Sequence, residues 1–243
     1  MTQATLHYIF DPLCGWCYGA APLLHAAQAL PGLAVRFHGG GMMTGSNRRQ
    51  ITPQWRDYVL PHDRRIAEIS GQPFGPAYLD GLLRDTGAVM DSAPPTTAIL
   101  AAEALGGPGL GLTMLHRLQR AHYVDGLRIA EPGVLRALAL DIGLDGDAFG
   151  AEYARQAGAP TQRHIDASRA LLNRVGGQGF PTFALDDGDG ILSMLDAGAY
   201  LGRLDAWNAR LSQAVASARL AAPATPDGAV GSACGIDGCA LPD

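Results

Sequence analysis

Apolar residues fall in short runs at both ends of the chain and in a helical rhythm between them. Near the start, Thr5 to Phe10 (TLHYIF) joins β-branched and aromatic residues in a run short enough for a buried strand, and Asp11-Pro12 ends it. From Cys14 to Leu30, Ala and Leu recur three and four residues apart, which predicts a helix beginning at or just before Cys14 and bent near Pro22. Pro31-Gly32 stops that helix, and Leu33 to Gly39 (LAVRFHG) predicts a second strand. Strand, helix and strand in such close succession make a βαβ unit, with its two strands parallel and adjacent.

Between Thr52 and Arg174 helical patterns follow one another, broken by Pro and Gly. Pro53 after Thr52 and Pro132 after Glu131 are start signals, and no fixed period relates the segments, which excludes a solenoid. The pattern then returns to sheet. Phe180 to Leu185 and Ile191 to Leu195 are short apolar runs joined by an Asp- and Gly-rich turn, the signal of a hairpin. A last helix, Ala199 to Ala221, carries Leu201, Leu204, Trp207, Leu211 and Val215 at helical spacing, so one face should pack on the sheet. From Ala222 the periodicity ends, which predicts a mobile tail. Neither pair of strands could stand alone, so the economical arrangement is one α/β domain, 1–43 plus 175–221, with an inserted helical domain, 44–174, and a tail, 222–243.

Composition narrows the function classes. With 243 residues, 47% hydrophobic and 17% charged, the chain can bury a sizeable core. A net charge of −5 and scattered cations give no basic face, so neither nucleic acid nor an anionic membrane is an expected partner. All 18 cations are Arg, which excludes a P-loop lysine, a Lys Schiff base and a Lys general base. The first residues carry no charged leader pattern and no window of eighteen uninterrupted apolar residues occurs, so a cytoplasmic protein is expected. Gly39 to Arg49 (GGGMMTGSNRR) lacks the G-x-G-x-x-G spacing of a nucleotide turn; it reads as a loop leaving the sheet or bordering an active site.

The four cysteines then carry the chemical question. Cys14-Gly15-Trp16-Cys17 could be two core residues, half of a metal site completed by Cys234 and Cys239, or a redox centre. A pair that follows a strand and opens a helix inside a βαβ unit favours the redox reading. A cysteine at the first turn of a helix faces unpaired backbone N–H groups and the positive end of the helix dipole, which favours its thiolate. Cys17 lies one turn on, within disulfide reach, and would resolve a mixed disulfide at Cys14. Gly15 leaves room and Trp16 offers an exposed apolar plate. The four-residue gap of Cys234 and Cys239 argues against a zinc site, so no metal is expected. Pro181, in GQGFPTF, enters a strand where a cis bond is common. His116 and His122 fall on different faces of a helix and read as surface or interhelical polar residues.

FDPLCGWCYGAAPLL with a far-downstream GFPTF resembles the DsbA-like branch of the thioredoxin superfamily, and within it the cytoplasmic FrnE-like proteins, which also carry a C-terminal Cys-x-x-x-x-Cys. The resemblance spans about residues 5 to 220 and implies a thioredoxin fold with a large all-helical insertion. It implies a thiol–disulfide oxidoreductase in which Cys14 attacks, Cys17 resolves and the Pro181 loop faces the pair. Gly15, Trp16, Phe180 and Thr182 would then meet substrate. It further implies protein or small-molecule disulfides as substrates, no cofactor beyond the redox-active pair, and glutathione or a thioredoxin system as electron partner. Such proteins often place a buried acid six residues before the nucleophile, where this chain has Tyr8, which leaves Asp11 as the nearby candidate proton relay. The dipeptide Gly-Trp lacks the His of strongly oxidising DsbA proteins, so a weaker oxidant is expected. Cys234 and Cys239 are a candidate second redox pair. Two rival readings are a glutathione-dependent isomerase or transferase of the kappa-like branch, and a zinc-binding or chaperone-like module without catalysis.

Overall fold

The computed structural model describes residues 3–221; Cys234, Cys239 and the rest of the expected tail lie outside them. The chain opens with β1 (Ala4–Phe10), followed by two short helices, α1 (Gly15–Gly19) and α2 (Ala21–Ala29), and then β2 (Leu33–Gly39). The expected single bent helix is two helices because Pro22 stands at the start of α2. Its ring has no N–H to continue the ladder from α1, and Ala20 becomes the junction. β1 and β2 are parallel, with Ala4 opposite Leu33 and Phe10 opposite Gly39.

After β2 come the two-residue strand β3 (Arg49–Gln50), α3 (Pro53–Ser70), a π turn at Ala77–Gly81, and β4 (Val89–Met90). β3 and β4 pair antiparallel, so the insertion is not all helical; strands of two residues are too short to show alternation in the sequence. Helix α3 starts where Thr52 Oγ1 accepts from the Trp55 N–H, and it ends at Gly71, whose φ of 73° suits a left-handed cap. α4 (Ala93–Tyr123) kinks at Gly106 and Gly107 just before Pro108, which is why its sequence reads as two helices. By length and composition it could span a bilayer. Here it is a core helix against β2, α5 (Pro132–Asp141), α6 (Gly146–Gln156) and α7 (Ala159–Arg174).

The hairpin β5 (Thr182–Asp186) and β6 (Leu192–Leu195) completes a sheet of order β2-β1-β5-β6, with β5 antiparallel to both neighbours. The final helix, α8 (Leu204–Ala221), begins later than its apolar spacing suggests because Asp196 caps a short 3-10 turn at Ala197–Ala199 first. One sheet face presents Leu6, Tyr8, Phe10 and Phe183 to α2, α4 and α8; Trp207 of α8 is wholly buried there, and its indole N–H donates to the Leu23 carbonyl at 2.8 Å. The other face sets Ile9 against Leu171 and Leu172 of α7. The larger apolar cluster runs without a break from the sheet through α1 into α4, α5 and α6, and both Cys14 and Cys17 belong to it.

Candidate active site

The turn after β1 aims the first cysteine. Asp11 Oδ1 accepts from the Leu13 N–H at 2.9 Å, and the Asp11 carbonyl accepts from the Cys14 N–H at 3.2 Å. Cys14 is thereby the N-cap of α1, with extended backbone (φ −90°, ψ 116°), while its own carbonyl receives the Tyr18 N–H. Its thiol points at the Phe180 carbonyl, 3.4 Å away, across a chain separation that only the fold closes. The Phe180–Pro181 peptide bond is cis. The outer edge of the Phe180 ring abuts Gly40; a Cβ there would meet it at 2.2 Å, so glycine lets the ring sit there.

The two cysteines are unlike. Both are reduced, Cys14 retains 6% exposure and lines a cleft, and Cys17 has none. Burial first, and hydrogen bonding with Cys14 second, push the Cys17 thiol well above its ordinary pKa, against a smaller opposing effect from the Asp11 N–H, 3.5 Å from its sulfur. The Tyr8 hydroxyl donates to the Cys17 carbonyl at 3.2 Å. Cys14 is thus less open than an exposed nucleophile, because the loop after β2 and helix α3 close over it.

Asp11 has a structural task at this turn. Its carboxylate accepts from Leu13, from the Met42 N–H and from the Ser92 hydroxyl, and only its backbone N–H meets Cys17. Burial raises its pKa and these three donors oppose the rise. Through them, and through Arg169 donating to the Gly40 and Gly41 carbonyls, the glycine-rich loop is held as a cleft border. Thr182 is buried and its hydroxyl is spent on the Gly179 carbonyl at 2.7 Å, off the cleft wall. Trp16 is half-buried in that wall rather than an exposed plate. His116 packs on His25 of α2 and His122 is buried against Tyr78 and Tyr123, both away from the cleft.

The cleft has a volume of about 910 Å³, and its lining includes Cys14, Trp16, Met42, Arg49, Trp55 and Asp63. The Arg49 guanidinium stacks over Trp55 at 5.2 Å. Asp63, which the sequence reading passed over, is 4% exposed, accepts from the Tyr78 hydroxyl at 2.9 Å, and is pushed up to about 7 by burial. Its signal was present: an acid on the apolar stripe of α3, between Val59 and Ile66. Among the described residues no group of three or more His, Cys, Asp or Glu side chains is arranged to hold a metal ion.

A mixed four-stranded sheet, a Cys-x-x-Cys opening the helix after its first strand and a cis-proline loop facing that pair define a thioredoxin-fold thiol–disulfide oxidoreductase. A family model described as the DSBA-like thioredoxin domain matches residues 5–199, and the chain belongs to that family. The structure of a cytosolic disulfide reductase, DsbM from Pseudomonas aeruginosa, superposes with a TM-score of 0.81 at 57% identity, covering 89% of this chain and all of that one. The same reductase with GSH gives 0.79 at 56% identity, over 86% and 98% of the two chains. A 2-hydroxychromene-2-carboxylate isomerase shares the fold alone, with a TM-score of 0.56 at 17% identity over 90% of this chain and all of that one. Among curated proteins no sequence matches.

Proposed function

We propose that the protein is a cytosolic disulfide reductase that works through Cys14, with Cys17 as the resolving thiol and glutathione as its thiol partner. The observation that carries this reading is the asymmetry of the pair: one sulfur opens onto a cleft and the other is sealed beneath it. The Cys14 thiolate attacks one sulfur of a substrate disulfide, forming a mixed disulfide and expelling one substrate thiol. Cys17 then gives up its proton and attacks the Cys14 sulfur, releasing the second thiol and leaving a Cys14–Cys17 disulfide. Two electrons pass to the substrate. One glutathione thiolate reopens the pair at Cys14, with Cys17 taking up a proton, and a second removes the glutathionyl group, leaving oxidised glutathione.

The direction of flow is supported by the cytosolic disulfide reductase to which the chain is 57% identical. Cytosolic placement and glutathione are supported by the reductase to which the chain is 57% identical and by its structure with GSH. The test is a redox titration against glutathione buffers, followed by thiol labelling and mass spectrometry. A Cys14–Cys17 disulfide should form and be reduced within the accessible range, and Cys17→Ser should accumulate one glutathionyl group on Cys14. A pair that never oxidises, or a Cys14→Ser variant that still turns over, would overturn the reading.

A further inference from the structure

Asp63 is a buried acid without a balancing cation: no salt bridge reaches it among the described residues, and its side chain has one hydrogen bond, from Tyr78 to Oδ2. Its other oxygen lies beside Gly15, the residue that follows Cys14. Oδ1 lies 3.1 Å from the point a Cβ on Gly15 would occupy, so the carboxyl borders the turn between Cys14 and Cys17. It also lines the same cleft as Cys14. Tyr78 from the π turn bonds its Oδ2, Cys14 lines the same cleft, and the Tyr123 phenol of α4 lies within electrostatic reach of Asp63 and of both thiols. His62 stands beside it on α3 and Arg49 lies on the β3 wall of the cleft.

We infer that Asp63 is the proton donor to the thiolate expelled when Cys14 attacks a disulfide in this cleft, an inference that rests on the reductase reading above. The Cys14 sulfur bonds to one substrate sulfur, the S–S bond breaks, and its electron pair leaves on the other sulfur. Asp63 gives that sulfur the proton on Oδ1, so a neutral thiol departs, and the carboxylate left behind regains a proton from water entering the cleft. The transfer runs downhill, since the Asp63 carboxyl titrates at about 7 and an ordinary alkyl thiol near 8.5.

Two consequences give the proton a purpose. A bare thiolate would otherwise appear against the apolar wall of Trp16, Trp55 and Ile66, where an anion is poorly solvated. It would also be the nucleophile best placed to attack the mixed disulfide and undo the step; protonation removes that nucleophile. Asp11 cannot substitute, because its carboxylate is held by three donors and is not part of the cleft lining.

The experiment compares two disulfides whose leaving thiols differ in basicity, with kcat/KM measured against pH. An aliphatic mixed disulfide of glutathione expels a basic thiol that needs a proton; an aromatic disulfide expels an acidic one that does not. Asp63→Asn keeps the shape and the bond from Tyr78 but cannot titrate. Its loss on the aliphatic substrate should exceed its loss on the aromatic one by about tenfold or more, within the range of general acid catalysis. The falling limb near pH 7 should also disappear. Equal losses on both substrates, or no loss on either, would overturn the inference. Should Asp63→Asn fail to fold, Tyr78→Phe decides: it leaves the acid and removes the bond that lowers its pKa, so the falling limb must move to higher pH. An unmoved limb is the contrary result. Cys14→Ser run alongside separates the cases, since activity surviving in that variant defeats the reductase reading itself.

Discussion

Two buried carboxylates near the cysteine pair are handled in opposite ways. On the sheet side, Asp11 meets three donors and works as a rivet, tying the turn before Cys14 to the glycine-rich loop and to Ser92 at the start of α4. On the α3 side, Asp63 meets a single phenol and burial pushes its pKa up to about 7. Both are as buried as core leucines. The contrast teaches that burial makes an acid costly to ionise, while the number of donors aimed at it decides whether it becomes structure or a group that can exchange a proton near neutrality.

The largest effect that would break this comparison belongs to Asp11. Replacing it with Ala strands the Leu13 and Met42 N–H groups and the Ser92 hydroxyl, and the loss should reach about 3–5 kcal/mol on typical values for buried unpaired groups. Urea denaturation would measure it; a loss under about 1 kcal/mol would mean that the rivet holds nothing.

Asp63 should behave in the opposite sense. Its folded pKa is about 7 against an ordinary 3.8, so between those values the unfolded chain has released a proton that the folded protein keeps. Stability therefore falls as pH rises through that window, and above it the whole penalty is present. Asp63→Asn removes the titration, so the variant should gain on the wild type between pH 4 and pH 8 by about 2–4 kcal/mol, the lower end allowing for water in the cleft. Melting curves across that range would show a constant difference if the carboxyl were already ionised.

The smallest effect concerns Arg49, which stands over Trp55 at the cleft edge. Its removal as Arg49→Ala should raise KM for an anionic disulfide such as oxidised glutathione by about two- to fivefold, the modest size expected of an exposed charge. A neutral disulfide should feel less of it, and equal changes in both would contradict an electrostatic role.

Much of the framework was legible in local patterns. Leu33–Gly39 is the strand expected after the Pro31-Gly32 stop, β1 starts one residue before the expected Thr5, and the helical middle follows its Pro and Gly punctuation. The cysteine pair and the FPT turn were legible because each is a short motif with its own chemistry. What escaped depends on contacts between distant segments. The β3–β4 pair is two residues deep and exists because the segments flanking α3 return side by side. The π turn at Ala77–Gly81 reads as ordinary helix until its place under α4 is known. Asp63 looked like one more charge in HDRR; its place on the apolar stripe of α3 marks it as inward-facing, but nothing local reveals that the segment it meets is the turn at Gly15. Asp11 was singled out from its nearness in the chain, yet its carboxyl is claimed by Met42 and by Ser92, far along the chain.

The sealing of Cys17 has a consequence for how the molecule is counted from outside. To a small electrophile or oxidant in solution the described residues present one sulfur of the Cys14–Cys17 pair, and the pair behaves as a single thiol. The second sulfur enters the arithmetic only after something is already bound to Cys14, so a partner must first become a covalent guest before both electrons are within its reach.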